Sequence, residues 1–174
     1  RNESTSIRAC LDSVLAQDYP TDRMEVIVMD GESDDDSPEV LASYGDRIRV
    51  LQNPGRIVPF AMNIGIRAAK GEIITRVDAH TTLEPSYVRV GVETLQRTGA
   101  DNVGGLMRCN GGSRAADAIA YAMSSRFGIG SQFHFATEEC ETDTVYMGMY
   151  PRAVFGRIGL YDEELVRNQD EELN

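Results

Sequence analysis

Apolar positions along the chain recur with two different periods, and the changes of period divide it into alternating helices and strands. Ile7, Leu11, Val14 and Leu15 fall at helical spacing, which predicts an amphipathic helix over residues 4–17, stopped by Asp18-Tyr19-Pro20. Glu25-Val26-Ile27-Val28-Met29-Asp30 is a short apolar run ended by an acid and Gly31, the pattern of a buried parallel strand. Ser37-Pro38 supplies an N-cap and a first-turn proline for a helix reaching about Tyr44. A second strand is expected over 47–52, before the turn-forming Asn53-Pro54-Gly55. Phe60, Asn63, Ile64, Arg67 and Ala68 continue as a helix, with Gly71 after Lys70 as its expected cap. A third strand over 72–77 ends at Asp78-Ala79-His80. A helix over 85–97 and a strand over 102–107 follow.

The second half is less periodic. Residues 115–126 read as a helix, and Gly128, Gly130 and the polar run to Asp143 as a loop expected to be mobile. A strand is expected over 144–150 and a short helix over 153–158, after Pro151. Such alternation predicts an α/β fold, a mostly parallel Rossmann-like sheet with helices on both faces. Ligands of such sheets bind beyond the carboxyl ends of the strands, where Asp30 and Asp78 are expected.

Composition narrows the classes of function. The 174 residues carry 17 Lys and Arg against 28 Asp and Glu, a net charge of −11. That charge argues against a nucleic-acid partner, which needs basic surface to displace counterions. A phosphorylated small molecule remains compatible, because a divalent cation reverses the local sign. No apolar run is long enough to span a bilayer and no signal peptide is visible. The chain begins at Arg1 and breaks off at Asn174 within an expected helix, so both ends are read as artificial. Cys10, Cys109 and Cys140 form no C-x-x-C pair, which favours thiols in a reducing, cytosolic compartment.

Four constellations carry candidate chemistry. In Asp30-Gly31-Glu32-Ser33-Asp34-Asp35-Asp36, a carboxylate at a strand end can accept a uracil imide N–H or a ribose hydroxyl. Equally, Asp and Ser can cap a strand-to-helix turn that Gly31 bends. Arg56 offers a planar charged fork to a base or phosphates, with Asn63 and Gly65 facing the groove; the other reading is a capped helix with a surface Arg. In Arg76-Val77-Asp78-Ala79-His80, residues i and i+2 of an extended segment share a face, so Asp78 and His80 can converge on one ligand. Carboxylate oxygen with imidazole nitrogen suits Mn²⁺ better than Mg²⁺; an incidental His at a solvated strand end is the alternative. Asp170, within Arg167-Asn168-Gln169-Asp170-Glu171-Glu172-Leu173, can act as a general base or simply complement a helix dipole.

In this order the segments resemble glycosyltransferase family 2, of the inverting GT-A type. Arg1-Asn2-Glu3 resembles the end of the family's P-x-x-N-E motif, whose strand is missing here. Asp30 to Asp35 resembles D-G-S-S-D-x-T, and Ala61 to Gly71 resembles A-x-N-x-G-x-x-x-A-x-G. The resemblance implies that Glu3 and Asp30 contact uridine and that Arg56 helps hold the base. It places Asp78 near ribose or metal, with His80 as metal ligand where the family usually has Asp. Asp170 becomes the general base, with Gln169 replacing the usual Glu before it. Arg76 to Thr81, Phe127 to Gly130 and Asn168 to Asp170 further resemble the succinoglycan subgroup.

The implied enzyme is a metal-dependent hexosyltransferase in bacterial exopolysaccharide synthesis, using Mn²⁺ or Mg²⁺. It would transfer sugar from a UDP-sugar donor, UDP-glucose, to a saccharide or lipid-linked saccharide acceptor with inversion. One catalytic domain is expected, with residues 1–107 binding the nucleotide sugar and 108–174 on the acceptor side. The full-length protein is expected at the inner face of the cell membrane, held there through parts absent from this chain. Lacking its first strand, the 174-residue piece should be poorly stable and inactive alone. Rival readings are a sugar-1-phosphate nucleotidylyltransferase, a receiver-like domain phosphorylated at Asp30, and a glycosyltransferase-like domain that binds nucleotide sugar without turnover.

Overall fold

The computed structural model describes residues 1–108 and 138–165. In chain order these form α1 (Ile7–Leu15), β1 (Ile27–Asp30), α2 (Ser37–Ala42), β2 (Arg49–Gln52), α3 (Val58–Ala68), β3 (Ile73–Thr75) and α4 (Tyr87–Thr98). After them come β4 (Val103–Gly105), β5 (Tyr146–Pro151) and α5 (Arg152–Ile158). Residues 138–145 contain no helix or strand. The expected helix over 115–126, Gly128, Gly130 and Asp170 lie outside the described residues.

The expected alternation holds, with one strand inserted against it. β1 and β2 are parallel, Ile27 opposite Arg49 and Asp30 opposite Gln52. β5 runs antiparallel between β3 and β4, pairing Thr75 with Met149 and Val103 with Met149. β3, α4 and β4 therefore form a helical crossover between parallel strands, but the space between those strands is filled from 41 residues further along (105 to 146). Local pattern cannot show such an insertion, because the pairing is long-range.

Helices cover both faces of these strands. Ile7 and Leu11 of α1 pack with Leu41, Tyr44 and Ile48, and this cluster meets Val26 and Val28 on one face of β1. α3 lies on the other face, where a Cβ added at Gly65 would stand 3.0 Å from the Met29 thioether. Gly65 thus permits close helix–strand approach rather than facing a groove. β5 is buried on both sides because successive side chains alternate. Met149, 1% exposed, packs under Val92 and Leu95 of α4, whereas Tyr150 packs with Met62, Ile66, Val154 and Phe155 of α3 and α5. Full burial of a side chain such as Met149 contributes about 1.5–3 kcal/mol.

The end of α3 departs from expectation. Ala69 already has extended dihedrals (φ −66°, ψ 141°), and Gly71 is not a left-handed cap. The Glu25 carboxylate, just before β1, accepts the backbone N–H groups of Lys70 and Gly71 instead. A side-chain acceptor from another element has replaced the glycine cap. A left-handed glycine does close α4, at Gly99 (φ 69°).

Candidate functional site

The carboxyl ends of β1, β2 and β3 open toward one region, and residues 1–4 lie across it. Arg1 donates from Nε to the Glu32 carbonyl (3.1 Å) and from Nη2 to the Asp34 carboxylate (3.0 Å). Asn2 reaches the same loop three times: its N–H to Ser33 Oγ (2.9 Å), its Nδ2 to Asp34 Oδ1 (2.6 Å), and its Oδ1 from the Asp34 N–H (3.1 Å). The Ser4 N–H and the Glu3 N–H bond Asp35 Oδ2 and Ser37 Oγ, both at 3.0 Å. Three non-glycine residues here hold left-handed backbones: Asn2 (φ 58°), Glu32 (φ 55°) and Arg56 (φ 58°). Such conformations are costly and concentrate where a site over-determines them.

Asp30 sits at this junction, 9% exposed. Its carboxylate accepts the Ser33 hydroxyl (2.6 Å) and the Ser33 N–H (3.2 Å), so the turn-capping role is realised. Gly31 brings the backbones together: a Cβ there would lie 3.2 Å from Arg1 Cβ and 3.7 Å from Arg56 Cα. Arg56 follows the expected turn, its N–H bonded to the Asn53 carbonyl, and its guanidinium is clamped by the Glu32 carboxylate. Asn2, Glu32 and Asp35, which shape the loop, fall within the P-x-x-N-E and D-G-S-S-D-x-T-like segments, but the motifs alone assign them no individual role.

Asp35 is held well below the usual carboxylate range, first by the Ser37 hydroxyl, which outweighs the opposing desolvation, and further by the Ser37 N–H and by Ser4. Asp34 is also lowered, first by the Asn2 amide and then by Arg1. Folded, both bind protons more weakly than unfolded, so their stabilisation is complete above the ordinary value of 3.8 and is lost as pH falls below it. Asp35→Asn is expected to lower the melting temperature at neutral pH and to leave less to lose as pH falls from about 5 to about 2. Parallel melting-versus-pH curves for the two proteins would contradict this.

The segment after β3 turns earlier than an extended reading allows. The Thr81 N–H bonds the Asp78 carbonyl at 2.9 Å, closing a turn over Asp78-Ala79-His80-Thr81. Asp78 and His80 therefore do not share an extended face; Arg76 and Asp78 do. Arg76 holds both Asp78 oxygens, Nε to Oδ1 at 2.9 Å and Nη2 to Oδ2 at 3.4 Å. The His80 side chain is 65% exposed, with its Nδ1 3.4 Å from Glu3 Oε1. Arg76 and Asp78 line a small, solvent-open cleft with Tyr146, Met147, Gly148 and Tyr150.

Asn63 is the clear displacement from expectation. It is 2% exposed, lies in the interior rather than on the groove, and both ends of its amide are hydrogen-bonded. Nδ2 donates to the Tyr161 carbonyl (2.9 Å) and to Glu163 (2.8 Å), and Oδ1 accepts the Tyr161 N–H (3.0 Å). It ties α3 to the segment after α5.

A divalent cation, implied by the resemblance, fits the donor chemistry of Asp78 and His80, and the His80 ring is accessible. Among the described residues no three His, Cys, Asp or Glu side chains form a ready cage. A cation that takes substrate phosphates and water as its remaining ligands needs none.

Residues 1–159 match the family model described as glycosyl transferase family 2. The chain belongs to that family. Among curated relatives, the succinoglycan biosynthesis protein ExoA of Rhizobium meliloti is 30% identical over 99% of this chain and 54% of its own length. A dolichyl N-acetyl-alpha-D-glucosaminyl phosphate 3-beta-D-2,3-diacetamido-2,3-dideoxy-beta-D-glucuronosyltransferase of Methanococcus voltae is 28% identical over 99% of this chain and 57% of its own. The chain thus spans about half the length of these relatives.

Solved structures place the family membership in a fold. S. aureus TarS 1–349, in complex with UDP-GlcNAc, superposes with a TM-score of 0.76 at 19% identity, over 98% of this chain and 48% of that one. The mannosyltransferase PcManGT of Pyrobaculum calidifontis, in complex with GDP-Man and Mn²⁺, gives 0.70 at 21%, over 98% and 47%. The fold is GT-A. Among the described residues no helix is long and apolar enough to cross a membrane.

Proposed function

We propose that this chain is the nucleotide-sugar-binding part of an inverting glycosyltransferase of exopolysaccharide synthesis, taking UDP-glucose as donor. The observation that carries the reading is the convergence of four sequence-distant segments at the carboxyl ends of the strands. Residues 1–4, the Asp30 loop, Arg56 and the Asp78 turn are joined there by direct bonds. Ligands of open α/β sheets bind at such a position. The ExoA relative supports the pathway, and the UDP-GlcNAc complex of TarS supports a UDP-sugar donor.

In this reading Glu3 and Asp30 accept hydrogen bonds from uridine, Asp30 through lone pairs that Ser33 leaves free. Arg56 exchanges Glu32 for the base or phosphates. Asp78 accepts ribose hydroxyls, and the Asp78–His80 turn holds Mn²⁺ or Mg²⁺. When bound, the cation neutralises charge on the departing diphosphate. Asp170 takes the proton of an acceptor hydroxyl, of a saccharide or lipid-linked saccharide, as that oxygen attacks the anomeric carbon from the face opposite UDP. Attack from that face inverts the configuration. Residues 1–107 serve the donor and 108–174 the acceptor, at the inner face of the cell membrane.

The test is thermal stabilisation of the intact protein by UDP, with and without Mn²⁺. A ligand at one hundred times its dissociation constant adds about 2.7 kcal/mol, a shift of several degrees. Stabilisation by UDP that grows with Mn²⁺ is expected, and His80→Ala is expected to remove the Mn²⁺ increment. No shift with either ligand would defeat the reading.

A further inference from the structure

The pairing of Arg76 with Asp78 has no assigned part in the site, yet it governs what Asp78 can bind. Arg76 is anchored at both ends. Its backbone N–H bonds the Gly148 carbonyl of β5 (3.2 Å), and its guanidinium, on a side chain only 13% exposed, spans both carboxylate oxygens. Asp78 is fixed from its backbone as well. Its N–H meets Met147 Sδ at 3.4 Å and its carbonyl accepts from Thr81 and from Cys10 Sγ (3.5 Å). Met147 takes a left-handed backbone (φ 54°) at this contact.

A carboxylate offers about four lone-pair sites, and a bidentate guanidinium occupies two of them. The remaining two can accept hydroxyl protons, since a neutral donor is not repelled by the guanidinium. A divalent cation on the same carboxylate would stand within a few ångströms of a permanent positive charge, in a part-buried place where screening is weak. The His80 ring is largely exposed, with its Nδ1 3.4 Å from Glu3 Oε1, and it is not among the groups that hold Arg76.

We propose that Arg76 is a positioning residue that reserves Asp78 for hydroxyl groups of the donor and keeps a divalent cation off it, leaving His80 as the metal-binding member of the turn. This rests on the donor-site reading above and narrows its assignment of the cation.

Calorimetry on the intact protein with two separate probes, uridine without metal and Mn²⁺ in the presence of saturating UDP, tests it. Arg76→Met frees the Asp78 charge and loosens its aim. Uridine is expected to bind about tenfold more weakly and Mn²⁺ about tenfold more tightly. Arg76→Lys keeps the charge without the fork, so Mn²⁺ should stay at the wild-type affinity while uridine is partly restored. Asp78→Asn should weaken uridine and leave Mn²⁺ unchanged. A merely structural Arg76 would move both affinities in the same direction. That result, no change in either, or loss of Mn²⁺ binding in Asp78→Asn would overturn the proposal. If Arg76→Met does not fold, the Asp78→Asn titrations decide alone. A wild-type protein that binds neither uridine nor UDP defeats the donor-site reading itself.

Discussion

Replacing Asp170 by Asn in the intact protein is expected to leave UDP binding in place and to lower turnover by about 10²–10⁴-fold. The two side chains have nearly the same shape, so donor contacts made elsewhere persist. Asn cannot take the acceptor proton, however, and an alcohol attacking an anomeric carbon must lose it. The loss should therefore fall on kcat at saturating donor, with UDP affinity by calorimetry within about twofold of wild type. Because Gln169 stands where the family usually has Glu, no second carboxylate adjoins Asp170 on that side to substitute for it. Turnover close to wild type would remove Asp170 from the chemistry.

The second large effect concerns stability. Asn63→Ala removes a buried amide that satisfies both the N–H and the carbonyl of Tyr161. Each buried polar group left without a partner costs about 1–3 kcal/mol, so the loss should reach about 3–5 kcal/mol. Against a typical domain stability of about 5–15 kcal/mol, that is a large fraction. Asn63→Asp should do no better, because it trades a donor for a charge facing the Tyr161 carbonyl and Glu163. Denaturant melts measure the loss, and a change under about 1 kcal/mol would contradict the tie. UDP affinity of the folded fraction should be unchanged, since Asn63 lies inside.

What was legible beforehand follows the range of the interactions concerned. β1 and the Asp30 turn could be read because an apolar run, an acid and a glycine are neighbours in sequence. α1 could be read because Ile7, Leu11, Val14 and Leu15 recur at helical spacing, and Ile7 and Leu11 are buried on that stripe with Cys10. Asn63 was misplaced because its partners lie 98 and 100 residues away, and nothing in Ala61 to Gly65 distinguishes an amide aimed inward from one aimed at a groove. The Gly71 cap failed for the same reason: its substitute is Glu25, from another element. At Asp78 the expected extended conformation gives way to a turn. Whether residue 78 is the last extended position or the first of a turn depends on a single hydrogen bond to Thr81.

The place of β5 also bears on how the chain is made. β3 and β4 leave the ribosome well before residues 146–151, yet each finds its described partner only in that strand. Their ladder groups, and the faces of α3 and α4 that meet Tyr150 and Met149, stay uncovered until the centre of the sheet arrives. During synthesis at about 5–20 residues per second that is an interval of seconds, with an exposed apolar surface open to wrong pairing. A nascent chain arrested before residue 146 should therefore bind chaperones and be cut readily by protease, and one arrested well beyond α5 should resist. The strand that completes the cleft beside Asp78 is also the strand that ends this vulnerable interval.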